Sequence, residues 1–196
     1  MSEHDDEWGE GGGMTVPSDW PDQLLRFWFV EHGKAHWFGG GPAFDAEVTE
    51  ALAPWREALR HRTVEAFLVD ARTALAAIIL FDQVPRNVHR DTAEAFATDD
   101  LALAIAKAAV TARLDEGLSA DERLFLYLPY EHSEKLDDQS ESVRLISALG
   151  QSDLSEYAQK HFDVIKRFGR FPHRNAALGR ANRPGEAEAI AAGAHW

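Results

Sequence analysis

Cysteine is absent from this chain of 196 residues. Disulfides and thiolate metal sites are therefore excluded, and any metal would need His and carboxylate ligands. No apolar run approaches the roughly 20 residues of a membrane span. The first 16 residues hold five acids and no Lys or Arg, unlike a secretory signal. A cytoplasmic protein without membrane contact is the resulting expectation. Strict apolar–polar alternation and β-branched runs are missing as well, which removes strands as a main element. Gly39-Gly40-Gly41 lacks the Lys and Ser/Thr that complete a phosphate loop, and no G-x-S-x-G elbow occurs. No cofactor is expected.

Positive charge is also scarce. Twenty Lys and Arg face 33 Asp and Glu, a formal net charge of −13, which argues against general nucleic-acid or anionic-membrane binding. The balance is uneven, because Lys160 to Arg183 holds seven Lys or Arg against the single acid Asp163. Such a segment can focus a small anion, pair with the protein's own carboxylates, or contact RNA. The acidic remainder would repel an RNA backbone, so no nucleic-acid partner is expected.

What is present is a globular composition, 45% hydrophobic with six Trp and eleven Phe. Residues 1–17 are acidic and glycine-rich and read as a disordered tail, within which Met14 is a second candidate start. Residues 18–196 read as one all-helical domain. Ser18 or Asp19 is suited to cap a helix carrying Leu24, Leu25, Phe27 and Trp28. A second helix shows Phe44, Val48, Leu52, Trp55 and Leu59, with Pro54 expected to bend it. A third carries Val64, Phe67, Leu68, Ala71, Leu75, Ile78 and Ile79 and is expected to end at Pro85. Thr98 looks like the N-cap of a helix stopped by Gly117. Ser119 and Glu122 form a capping box for the next, which is apolar almost all round and therefore expected to be central. Further helices are expected over 137–149, from Asp153 to the stop at Gly169, and after Pro184.

Four polar segments interrupt these stripes. Asp82 continues the 64, 68, 71, 75, 78 series, so its carboxylate faces the core and needs a partner such as Arg86, Arg90 or an arginine of the basic segment. Glu131 lies on the face of Leu124, and His132 on that of Phe125 and Leu128. They read either as an acid/base pair or as a helix end reaching solvent. Gln139 shares a stripe with Val143 and Ile146, and His161 one with Leu154, Ala158 and Ile165. Burial would depress the pKa of His161 and a nearby carboxylate would raise it. Four such interruptions are costly unless they converge. Arg167, Arg170, His173 and Arg174 crowd around a Gly-Arg-Phe-Pro turn, whose Phe171-Pro172-His173-Arg174-Asn175 echoes Val84-Pro85-Arg86-Asn87.

Several longer motifs carry a resemblance. These are Trp37-Phe38, Phe44-Asp45, Asp82-Gln83-x-Pro85-Arg86-Asn87, Ala95-Phe96-Ala97-Thr98-Asp99, Tyr127 to Glu134, Asp138-Gln139, and Arg167 to Asn175. In this order, from about Leu24 to the C-terminus, they resemble the bacterial family catalogued as domain of unknown function 924. Small departures are Val84 and Tyr130. The resemblance implies antiparallel helix pairs packed as a tetratricopeptide-like right-handed array, and it implies no activity.

Two functions follow from these residues. In the first, a polar pocket binds a small carboxylate or phosphate, with or without acid/base chemistry. Asp82, Gln83, Arg86, Asn87, Gln139, Arg167, Arg170, His173, Arg174 and Asn175 then contact the ligand, and Glu131, His132 and His161 handle protons. In the second, a tetratricopeptide-like scaffold binds a protein partner, and the polar motifs only hold helix ends together. A metal site from Glu131, His132, His161 and an Asp is disfavoured, because adjacent residues on a helix point about 100° apart.

Overall fold

The computed structural model describes residues 15–193. Among them every regular element is helical. The packed part starts slightly earlier than expected, because Val16 is already buried; the rest of the expected tail, residues 1–14 with Met14, lies outside the described residues. Helix α1 (Trp20–Leu25) continues as a wider π turn over Arg26–His32 and is followed by the short α2 (Lys34–Trp37). Asp19 occupies the cap position of α1 but does not cap with its side chain. It instead accepts from Gln23 Nε2 at 2.9 Å.

Helix α3 (Gly41–Leu59) runs through Pro54. Its buried stripe is Phe44, Val48, Leu52, Arg56 and Leu59, so an arginine stands where Trp55 was expected. Arg56 is held by Glu57 at 2.7 Å and by Glu94 at 2.8 Å, which satisfies the buried charge.

The segment expected as a third helix divides. Val64–Phe67 is a 3₁₀ turn, Asp70 caps α4 (Ala71–Ile78) by accepting from Thr73 N at 2.7 Å, and the chain then widens into a π turn over Ile79–Gln83. Pro85 does not end the helix. It sits in the first turn of α5 (Val84–Val88), where its missing N–H is least costly. The carbonyl four residues before a helical proline loses its donor; that carbonyl, Phe81 O, accepts from the Thr98 hydroxyl at 2.6 Å. Residues 74–81 are buried on every side rather than along one stripe.

Helix α6 (Asp99–Thr111) stops before Gly117, and Thr98 precedes it without a side-chain cap, since its hydroxyl is committed to Phe81. Helix α7 (Ala120–Glu131) opens with the expected capping box: Ser119 Oγ accepts from Glu122 N at 3.3 Å and Glu122 from Ser119 N at 2.8 Å. Its residues Leu124 to Glu131 are all buried. Helices α8 (Leu136–Ser147), α9 (Ser152–Phe168) and α10 (Glu186–Ala191) complete the order, with Gly150 and Gly169 in the left-handed region at the ends of α8 and α9. Helix α4 packs against α1, α6 and α7, α5 against α3, and α7, α8 and α9 follow one another as neighbours. Their connections of four residues make α7–α8 and α8–α9 antiparallel hairpins.

Candidate functional site

Three chain segments converge beside the C-terminal half of α7. The π turn holds Asp82 and Gln83 in the buried interior, and such turns are frequent at functional sites. The last turn of α7 supplies Glu131 and His132, the middle of α9 supplies His161, and a 3₁₀ turn over Pro172–Arg174 supplies His173 and Arg174. Glu131, His132, His161, His173 and Arg174, together with Trp37, Phe38, Phe96, Leu124, Leu128, Leu154 and Tyr157, line a cavity of about 770 Å³, and Asp82 bonds to His132 from outside that lining. Gln83, Arg86 and Asn87 complete its polar wall, with Arg90 and Asp91 on the solvent side.

Asp82 is 1% exposed. Its Oδ1 meets His132 Nδ1 at 2.7 Å and Arg86 Nη1 at 3.3 Å, while Oδ2 accepts from Gln83 Nε2 at 2.5 Å. Burial alone would raise this carboxyl, but Arg86 and His132 outweigh it and hold Asp82 well below the usual carboxylate range. An ionised carboxylate only accepts, so His132 carries its proton on Nδ1 and leaves Nε2 with a free lone pair. Burial pushes the imidazolium form of His132 down despite Asp82 beside it.

Glu131 is not a helix end reaching solvent; it is 6% exposed. Burial, reinforced by the Asp82 charge, pushes its carboxyl up to about 8, so it is mostly protonated at pH 7. His161 lies 3.5 Å away, Nδ1 to Oε1, and its Nδ1 donates to Tyr157 O at 2.9 Å. Burial outweighs the bond to the Tyr157 carbonyl and takes His161 down to about 3. The contact therefore joins two neutral groups, a carboxylic acid and an imidazole, rather than an ion pair.

The cations are unequally satisfied. Arg86 grips Asp99 with two bonds of 2.8 and 2.9 Å and donates to Asp82 O at 2.5 Å. Arg174 reaches Asp99 at only 3.3 Å, and its buried Nε has no partner. Its guanidinium lies between Phe96 and Phe171, 4.7 and 4.5 Å from the ring centres. Burial and the Arg86 charge lower it to about 10. His173, whose buried Nδ1 has no partner either, falls to about 4 through burial and Arg174. Asp99, Glu134 and Asp82 oppose the Arg86 charge, so burial is the deciding cause at Arg174.

Five of the expected ligand contacts lie outside the lining of this cavity: Asp82, which acts through His132, and Gln139, Arg167, Arg170 and Asn175. Gln139 is fully buried and donates to Glu131 O at 2.5 Å and Ser133 O at 2.7 Å, closing the end of α7. Arg170 grips Glu186 with two bonds of 2.8 Å, and Asn175 donates to the same carboxylate at 2.9 Å. Arg167 is exposed and stacks on Phe168, 4.7 Å from its ring centre. Much of the basic segment thus neutralises the protein's own acids, since Arg180 also binds Glu134 at 2.7 Å. Trp37 is not exposed; its Nε1 donates to Trp28 O at 2.9 Å. The triple glycine beside it serves geometry, because Gly39 and Gly41 have positive φ and a Cβ on Gly40 would strike the Phe44 ring at 2.5 Å.

Sequence reasoning missed Asp99, which joins Arg86 to Arg174, and Phe96, on which both guanidiniums rest. An acid in the first turn of a helix looks like ordinary dipole compensation, so only the Ala95–Asp99 motif signalled more. Among the described residues no group of three or more His, Asp or Glu side chains is arranged to hold a metal ion.

The family model for bacterial proteins of unknown function 924 matches residues 24–194. The chain belongs to this family. A solved structure of a protein of unknown function from Agrobacterium tumefaciens is similar at 35% sequence identity and a TM-score of 0.83, with 88% of this chain and 97% of that one covered. No curated protein matches the chain. The family and this structural relative therefore establish kinship and fold, and the chemistry must be argued from the cavity.

Proposed function

We propose that this protein binds a small anionic molecule, a carboxylate or phosphate, in the cavity beside α7 and α9 and moves a proton on it. The observation that carries the reading is Arg174, a buried guanidinium that lines the cavity with Nε unpartnered and its charge only weakly answered by Asp99. An arriving anion adds the counter-charge that Asp99 supplies only weakly. Beside it stand a base and an acid in the protonation states that proton transfer needs at neutral pH. His132, oriented by Asp82, offers a free Nε2, and Glu131 holds a proton. His161 positions Glu131 and contributes a second neutral imidazole.

The test is a thermal melt of wild type and Arg174→Ala against inorganic phosphate and simple carboxylates. At 100 times its Kd a ligand adds about 2.7 kcal/mol, which raises Tm by about 5–10 °C in a domain of this size. Arg174→Ala should melt within a few degrees of wild type, because Asp99 keeps Arg86, and should lose the ligand response. Loss of folding in Arg174→Ala, with no response of wild type to any anion, defeats the reading.

One observation favours a second reading. Gln139, Arg170 and Asn175 satisfy structural groups, as a protein-interaction scaffold with tetratricopeptide-like right-handed packing would require. On that reading the cavity is incidental and a protein partner covers the face bearing Phe38 and Tyr157, which are 64% and 52% exposed. Breaking the buried Asp82–His132–Arg86 cluster would then cost about 3–5 kcal/mol of stability without altering any small-molecule response.

A further inference from the structure

The cavity is polarised along its length. Two helices contribute to its wall, and each changes character along its length. On α7 the lining passes from Leu124 through Leu128 to Glu131, and on α9 from Leu154 through Tyr157 to His161. Seven residues of helix span about 10 Å. Because α7–α8 and α8–α9 are both antiparallel, α7 and α9 run the same way, and the 3.5 Å contact of Glu131 with His161 brings their polar ends together. The apolar end is identified independently. Phe38 stacks on Phe125 at 5.9 Å with planes 4° apart, and Trp37 meets the same ring edge-on at 4.9 Å. Phe125 directly follows Leu124.

The polar end has room for one head group of modest charge. Arg86 is already committed to Asp99 and the Asp82 carbonyl, so Arg174 is the guanidinium with donor capacity to spare. One spare cationic charge balances a carboxylate and leaves half of a phosphate dianion unbalanced. The cavity of about 770 Å³ is far larger than a bare anion needs, and a mostly apolar wall with a few placed polar groups is the usual form of a small-molecule site.

We propose that the ligand is an amphipathic carboxylate, its head at Arg174, His132 and Glu131 and its unbranched alkyl body lying along Leu128, Leu124 and Leu154 toward Phe38. The inference rests on the anion reading above and narrows it to a chemical class. It explains why apolar residues line a site that carries three arginines, and why an exposed phenylalanine stands at one end of it.

The experiment is calorimetric titration of the full chain at pH 7 with acetate, butanoate, hexanoate and octanoate, and with octanol, octyl phosphate and inorganic phosphate. Affinity should climb about three- to fourfold per methylene along the carboxylate series, the factor for burying one CH₂. Octanol should bind at least about tenfold more weakly than octanoate, the loss of one charge-assisted contact. Phe38→Ser, at the apolar end, should reduce the gain from hexanoate to octanoate, and Arg174→Ala should weaken every carboxylate. A flat series with firm binding of inorganic phosphate overturns this inference and leaves the anion reading standing. Octanol binding as well as octanoate, or octyl phosphate binding much more tightly, overturns the carboxylate head. No binding of any anion removes both readings.

Discussion

Glu131 shows how one residue's environment decides its chemistry. On the helix face of Leu124 it reads equally as a solvated end or a buried acid, and its 6% exposure makes it the second. Burial, with Asp82 nearby, raises its carboxyl from 4.5 to about 8. A raised acid binds more protons folded than unfolded between these values, so its contribution to stability is complete below about 4.5 and is lost as pH rises through about 8. Glu131→Gln removes that dependence. Chemical denaturation at several pH values should show the variant gaining on wild type between pH 5 and 8 by about 3 kcal/mol. A constant difference across that range would mean that Glu131 is ionised throughout. His161 titrates oppositely: held at about 3, it gives up stability as pH falls below about 6.5. The two slopes partly cancel in wild type, which is why the comparison is made with the variant.

At the scale of elements, the continuous helical stretch through 71–88 depends on a neighbour. Pro85 removes the donor for Phe81 O, and the Thr98 hydroxyl just ahead of α6 replaces it. Thr98→Val should therefore cost about 1–3 kcal/mol, the penalty of an orphaned buried carbonyl. The same change should cost less in a Pro85→Ala background, where a backbone N–H is restored; a double-mutant cycle in urea measures the difference. The basic turn after α9 has a comparable dependence on α10. Glu186 accepts from Arg170, Asn175 and Arg183 N, and Arg170 foremost holds its carboxyl down at about 2. Glu186→Gln places donors against donors. Hydrogen exchange should then lose protection over residues 171–191 and keep it in α7 and α8; uniform loss would show that α10 is part of the global cooperative unit.

For the whole molecule, the proposed anion site sits inside a chain of net charge −13. On that proposal the distant field repels an approaching anion while Arg174 attracts it. Raising ionic strength from about 0.01 M to 0.15 M shortens the screening length from about 30 Å to about 8 Å, which removes the repulsion and spares the buried contacts. Association of octanoate, followed by stopped-flow tryptophan fluorescence, should therefore accelerate with salt. Slowing would indicate that the cavity's own potential dominates at long range.

The helical class, the box at Ser119 and Glu122, the glycine stops at 150 and 169, and the buried α7 were all legible in the sequence, because they arise from interactions within a few residues. So were Asp82, Glu131, His132, Gln139 and His161 as polar residues out of place, since periodicity reports the face of a helix on which a side chain lies. Periodicity does not report what stands opposite. Only tertiary packing decided that Arg86 and Arg174 share Asp99, 13 and 75 residues away, whereas Arg170 and Asn175 turn to Glu186. The same packing decided that the Thr98 hydroxyl serves the Phe81 carbonyl. Partner choice among like charges depends on distance in space and on desolvation, and neither is encoded in the local pattern of any one helix.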